Sequence, residues 1–479
     1  MKTSRRNFIS NLAKSALLPP MALSTLVSAQ TTPWHQQIAL QASRLTGKHA
    51  LKLLIPNGSR ANIAAAVEEF TRLSGCICHI EEVPVDDINI ELILRSAAGG
   101  STVDLGLPAT FGITDLVQAK AILPLDELKA RYEPDGFSDG FLYRKGDRYR
   151  GKLYGYQTDG DVYLLFYNKR MMEDPAEQEA YAKATGNTLG PASSWEELDA
   201  MMAFFHRPEK NQYGGSLFRN PGYLVWEWWA RFHAKGSRPF NDDMQANVNN
   251  PSGVTALEEL VVASNYLSPG SRSNGLFENW SDFAQGNVFC NIGWGGTQKY
   301  LMASSTMRDN LVHSALPGPL INKTPSTMGY FNWGWSYTVS SGSTHPELAY
   351  LFALFCSTPS ISTLAVREDG FFDPYRDDHY QDDAIRDVYG DSFLASHQHS
   401  MQNCIPDLYI SGQSNYLDVL RQQILLVIDG EQTAQEALDL CAQKWSHITS
   451  RLGKTSQASQ WKQLYATYPA NIRENLRDG

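Results

Sequence analysis

Ala50-Leu51-Lys52-Leu53-Leu54-Ile55, halted by Pro56-Asn57-Gly58-Ser59, is a short apolar run with turn formers behind it. The apolar positions then change period. Ala61, Ala64, Ala65, Val67, Phe70 and Leu73 recur every three to four residues, the spacing of one helix face, and Gly75 ends the pattern. Cys76-Ile77-Cys78-His79-Ile80 reads as the next strand. Strand, helix and strand in about thirty residues make a βαβ unit, which predicts a largely parallel sheet covered by helices.

The style continues outward. Residues 103–107 form a strand-like run stopped by Pro108, and residues 153–156 and 162–167 read as strands flanking Gln157-Thr158-Asp159-Gly160-Asp161. A helix is expected over 195–205, capped by Ser193 or Ser194 with Glu196 and Glu197 in its first turn. Residues 288–294 and 337–340 read as further strands, and 416–428 and 433–448 as helices. No repeat, low-complexity tract or long linker interrupts the chain.

At 479 residues the chain exceeds one ordinary core, so two lobes are expected. Hydrophobic residues at 42% and charged residues at 19% are the balance of a soluble globular protein. The formal net charge is −10. Removing residues 1–29 takes away four cations (Lys2, Arg5, Arg6, Lys14) and no acid, leaving −14. An acidic chain without a basic run is a poor partner for nucleic acid or anionic membrane.

Residues 1–29 read as an export signal. Ser4-Arg5-Arg6-Asn7-Phe8-Ile9 resembles the twin-arginine motif, a weakly apolar stretch follows, and Val27-Ser28-Ala29 offers small residues for cleavage near Ala29. The apolar run is too short and too interrupted to span a bilayer, and no cysteine at the cut invites lipidation. The expected compartment is the periplasm. Six cysteines remain (Cys76, Cys78, Cys290, Cys356, Cys404, Cys441), without CxxC or zinc spacing, and their pairing stays open.

Several phrases, taken in order, resemble the extracellular solute-binding proteins of ABC importers, in the large carbohydrate-type family that includes maltose-binding protein. They are Asp104-Leu105, Ala121-Ile122-Leu123-Pro124-Leu125-Asp126, Gly151-Lys152-Leu153-Tyr154-Gly155-Tyr156 and Leu165-Phe166-Tyr167-Asn168-Lys169. Ser194-Trp195-Glu196-Glu197-Leu198, Phe283-Ala284-Gln285-Gly286, Leu316-Pro317-Gly318-Pro319, His345-Pro346-Glu347 and Gly430-Glu431-Gln432-Thr433 follow. Each is weak alone, and their shared order across roughly residues 50–450 carries the resemblance. It implies an α/β, two-lobe periplasmic binding fold with mixed, mostly parallel sheets and a hinge of several crossings. Lobe 1 is expected from 50–158 with 320–367, lobe 2 from 162–316 with 374–450, and a C-terminal extension from 451–479. The crossings are expected near 157–161, 317–320 and 369–374. A monomer that closes on a sugar or polyol and docks on ABC permease subunits follows from the resemblance, with no cofactor.

Ligands of open α/β sheets sit beyond the carboxyl ends of strands. That rule nominates Asn57, Arg60, Thr110 and Phe111, and in the first crossing Asp159 and Asp161, whose carboxylates suit paired hydroxyls. Trp226 and Trp229 share a helix face. Trp294 lies where the resemblance places a cleft aromatic, and Trp333 and Trp335 alternate in an expected strand. Arg367 and Asp373 complete a polar ring near the third crossing.

Other chemistries have thinner support. Asp159 and Asp161 are two residues apart and do not readily flank a scissile bond as glycosidase carboxylates must. No GxSxG, HExxH, P-loop or GxGxxG phrase supports another reaction. Asp377-Asp378-His379, Asp382-Asp383, His397 and His399 form an acidic and imidazole-rich patch of the kind that holds calcium-like ions. The tryptophans also suit a quaternary ammonium ligand.

Overall fold

The βαβ unit forms where the sequence places it. In the computed structural model, which describes residues 32–478 apart from Lys48 and Ser101, strand β1 (Ala50–Pro56) is joined to β2 (Ile77–Val83) by the helix Arg60–Ser74. The expected export signal at 1–29 lies outside the described residues. Gly75 ends the helix at φ 74°, its N–H bonded to the Thr71 carbonyl, a left-handed cap that glycine adopts without steric cost. Phe70 anchors the helix by packing edge-on against Phe352 and Phe355, each at 5.1 Å between ring centres. Each such pair adds about 0.5–1.5 kcal/mol beyond the area it buries.

Strand β3 (Leu105–Gly106) pairs with β1, and the hairpin β4 (Arg148–Tyr149) and β5 (Lys152–Leu153) leads into β6 (Tyr156–Gln157). Then come β7 (Leu164–Asn168), β8 (Tyr213–Ser216), β9 (Val288–Gly293) and β10 (Leu311–Pro317). Strands β11 (Thr327–Phe331), β12 (Ser336–Val339) and β13 (Cys404–Pro406) complete the set. One sheet has the order β2-β1-β3-β12-β6, the other β13-β11-β10-β7-β9-β8. Strands β7 and β9 are buried along their whole length, which is why their sequences read as continuous apolar runs.

Two expectations need correcting. The sheets are mixed rather than mostly parallel: β12 runs antiparallel to β3 and β6, and β7 antiparallel to β9 and β10. Strands that enter a sheet from the other lobe arrive against its βαβ direction. The second crossing is also not at 317–320. Leu316 and Pro317 pair antiparallel with Met328 and Thr327, so Pro317-Gly318-Pro319 begins a hairpin connection inside the second sheet. Strand β11 stays in that sheet and β12 lies in the first, which puts the crossing at 332–335. Residues 320–331 therefore do not belong with the first sheet as expected.

Residues 451–479 are integrated into the molecule. Trp461 is fully buried against Phe240, and the Gln460 side-chain oxygen accepts from the Tyr149 hydroxyl at 3.0 Å and the Ser411 N–H at 2.9 Å. All six cysteines are free thiols. Among the described residues no single helix is long and apolar enough to cross a membrane.

Candidate functional site

The crossings lie side by side, stitched by hydrogen bonds between them. The N–H of Thr158, in the first crossing, donates to the Trp335 carbonyl of the second at 2.9 Å. The N–H of Asp373, in the segment that follows the helix Pro359–Arg367, donates to Asp159 Oδ1 at 2.6 Å. His397 Nε2 contacts the Gly160 carbonyl at 2.8 Å, and a Cβ on Gly160 would fall 2.0 Å from the Pro374 carbonyl oxygen. Only a glycine lets these backbones approach so closely. Asn62 adds a tie from the first lobe: its side-chain N–H donates to the Ala365 carbonyl at 2.9 Å, and its oxygen accepts from the Phe371 N–H at 3.0 Å.

This stitching brings three carboxylates together. Asp159, Asp161 and Asp373 are all buried, with oxygens within 4.8 Å of one another. Burial pushes the Asp159 carboxyl well above its usual range, and the Asp373 charge adds to the shift. Burial and then the charges of Asp159 and Asp373 do the same to Asp161. Asp373 is raised by burial and pulled back by Lys299. Asp373 accepts from the Tyr389 hydroxyl at 2.7 Å and the Gly296 N–H at 3.1 Å, and Asp161 accepts from the Gly334 N–H at 3.3 Å. Desolvation pushes the Lys299 ammonium down to about 8, although Asp373 and Asp159 pull the other way.

Beside the carboxylates is a small cavity, with about 30 Å³ open to water-sized centres. Asp161 and Gly296 face it, and Trp280, Trp294, Trp333, Trp335 and Phe371 wall it, with Val85 and Leu276 at its edge. Trp333 and Trp335 do not alternate in a strand as expected. Gly334 between them has φ 78°, and this turn, within the second crossing, leaves both indoles lining the cavity. Trp294 donates its indole N–H to Asn332 Oδ1 at 2.9 Å. Among the described residues, the buried indole N–H groups of Trp195, Trp226, Trp229, Trp280, Trp333, Trp335 and Trp461 have no hydrogen-bond partner. Three of these indoles, those of Trp280, Trp333 and Trp335, wall the cavity.

Other nominated residues sit further off. Phe111 and Trp226 line an adjoining groove that shares Trp333, with Phe111 edge-on to Trp333 at 5.3 Å. Trp229, three residues along the helix Leu224–Ala234, turns into the core beside His233 at 5.1 Å. Asn57 is exposed and lines no cavity described here. Arg60 and Arg367 are held outside by ion pairs to Glu82 and Asp382. The acidic and imidazole patch does not converge either. His379 contacts Ser362, His397 contacts Tyr380, and Asp382 caps the helix Asp383–Tyr389. The sequence reading passed over Trp280, Phe371, Lys299, Tyr389 and Asn332. Phe277 and Trp280, three apart on the helix Leu276–Ala284, and Phe371 beside Asp373 were available as signals.

The arrangement suits hydroxylated ligands: carboxylates accept from paired hydroxyls, and indole faces cover C–H surface. A solute-binding protein of Thermotoga lettingae TMO, bound with α-D-tagatose, is similar in structure, with TM-score 0.70 and 18% identity over 84% of this chain and 100% of that one. The maltose-bound MalE3 of T. maritima is similar at TM-score 0.69 and 14% identity, over 83% and 100% of the two chains. A ribitol complex from Agrobacterium radiobacter K84 is similar at TM-score 0.70 and 17% identity, over 84% and 99%. At such identities the likeness shows the fold. No curated protein matches the chain in sequence. The sequence does match the profile of bacterial extracellular solute-binding proteins over residues 65–388, about two-thirds of its length, and the chain belongs to that family.

Proposed function

We propose that this chain is the periplasmic receptor of an ABC importer, and that it closes on a sugar or polyol and catalyses nothing. The observation that carries the reading is the placement of the three carboxylates and the tryptophan walls at the junction of all the crossings. A solute there touches both lobes and the hinge at once, so occupancy is coupled to the lobe angle that a permease reads. Tagatose, maltose and ribitol in structurally similar proteins support a hydroxylated ligand.

The energetics are adequate. Micromolar binding requires about 8 kcal/mol, or ~0.7 kcal/mol per heavy atom for a hexose of about twelve heavy atoms. That efficiency calls for stacking as well as hydrogen bonds, and the cavity presents both. Export by the segment ending near Ala29, action as a monomer, and docking on membrane permease subunits belong to the same reading.

Calorimetric titration of the mature chain with pentoses, hexoses, disaccharides and alditols tests it. The expected result is one-site binding with at least one member and no change in the sugar afterwards. Turnover of the sugar, or binding confined to non-hydroxylated solutes, contradicts the reading.

A further inference from the structure

We propose that the solute carries a protonated amine, and that its ammonium group docks on Asp161; this rests on the reading of the chain as a receptor for hydroxylated solutes. Charge count is the first argument. Three carboxylates lie within 4.8 Å of one another, and Lys299, the one cation beside them among the described residues, gives its Nζ hydrogens to the main-chain carbonyls of Glu368 at 2.7 Å and Phe372 at 2.9 Å. The cluster is left short of positive charge, and buried carboxylates of one sign oppose their own ionisation.

The distribution of partners is the second. Asp373 is satisfied by Gly296 and Tyr389, and Asp159 Oδ1 by the Asp373 N–H. Among the described residues Asp159 Oδ2 has no hydrogen-bond partner although Asp159 has no solvent exposure, and Asp161 lines the cavity with one long bond, from the Gly334 N–H at 3.3 Å. Asp161 is therefore the carboxylate that the cavity reaches, with Asp159 behind it. An ammonium supplies three donors and a compensating charge, whereas a neutral hydroxyl supplies one donor and no charge.

The walls are the third. Indole faces attract cations. The hydroxylated part of the solute, on which the proposed function rests, lies against the same indole faces, those of Trp294, Trp333 and Trp335. Together these define a molecule with an ammonium end and hydroxyl oxygens, an amino sugar or amino polyol. The cavity is small, with about 30 Å³ open to water-sized centres, so a solute of one ring enters only as the lobes part. A divalent metal is a poorer occupant. It seeks six or more oxygens, and here N–H and O–H donors already occupy several carboxylate oxygens while the remaining wall is aromatic.

The test is a paired panel on the full mature chain below pH ~7, where amines stay protonated. Glucosamine is set against glucose, galactosamine against galactose, and 1-amino-1-deoxysorbitol against sorbitol, with N-acetylglucosamine and calcium chloride as separate arms. The expected result is an amine that binds at least about tenfold tighter than its neutral parent, loss of that preference on N-acetylation, and its loss in Asp161→Asn. The wild-type ratio decides even where the variant folds poorly. A neutral parent that binds as well as its amine overturns this inference and leaves the sugar-receptor reading standing. Binding of calcium in place of the amine also overturns it. Silence from every member of both series overturns this inference, and the wider panel of pentoses and disaccharides then decides the sugar-receptor reading.

Discussion

The main-chain N–H of Asp373 donates to the side-chain oxygen Oδ1 of Asp159 at 2.6 Å, so a carboxylate of the candidate site also locks two segments of the hinge together. Asparagine at 159 keeps that acceptor, replaces the unpartnered Oδ2 with a donor beside Asp161, and removes one of three repelling charges. Asp159→Asn is expected to raise the melting temperature of the ligand-free protein by about 1–3 °C and to weaken solute binding at least about tenfold. Calorimetric melting and titration of the same preparation check both. An unstable variant that still binds contradicts the assignment.

Stability should fall as pH rises from about 6.5 to 8. Asp407, buried in the second lobe, has its carboxyl pushed up to about 7, and Asp159, Asp161 and Asp373 are raised too. A raised folded value means stability that is full below ~4 and lost as pH rises through the folded value. Opposing this, burial lowers His233 and His397 to about 4 and His313 and His379 to about 3. Their contribution is present above ~6.5 and lost as pH falls toward those values. Above ~6.5 the carboxylates act alone until Lys299, lowered to about 8, begins to oppose them. Thermal melts of the ligand-free protein across this range measure the slope. Asp407→Asn should flatten it by removing the titrating group: Tyr330 and Leu408 keep Oδ1 as acceptor, and Gln413, whose Nε2 donates to Oδ2 at 2.7 Å, can turn its amide over so that the unpartnered Oε1 accepts from the new N–H.

Two tryptophan substitutions separate architecture from binding. Among the described residues the Trp335 indole N–H has no acceptor, whereas that of Trp294 donates to Asn332. Trp335→Phe should leave ligand-free stability within about 1 kcal/mol of the parent and reduce affinity. Trp294→Phe should cost about 1–3 kcal/mol of stability by stranding Asn332, as well as affinity. Equal stability losses at both positions contradict the distinction.

Arg60→Ala and Arg367→Ala should leave solute affinity unchanged and shift stability by less than about 1 kcal/mol. Each guanidinium is largely exposed and paired with one carboxylate, Glu82 or Asp382, away from the cavity. A large affinity loss in either shows that the cavity is drawn in the wrong place.

The βαβ opening and the family phrases were legible because they rest on local period and order along the chain. Asp159, Asp161 and Asp373 were nominated from their positions near expected crossings, and the structure brings them together. The second crossing was not legible, since Pro317-Gly318-Pro319 announces a turn without saying which sheet the next strand joins. Arg60, Arg367 and Trp229 sit near the right strand ends or on the right helix, but ion pairs and core packing turn them away. Trp280 and Phe371 were overlooked because an aromatic among many carries no positional mark until the crossings are seen side by side.

A crystal structure of the mature chain with the tightest-binding solute tests the central claim most directly. The account predicts density in the cavity, with polar atoms within hydrogen-bonding distance of Asp161 and a face covered by Trp294, Trp333 or Trp335. A solute bound elsewhere, for example in the separate basin lined by Arg144, Lys145, Arg148 and Arg150, with the carboxylate cavity left untouched, contradicts it.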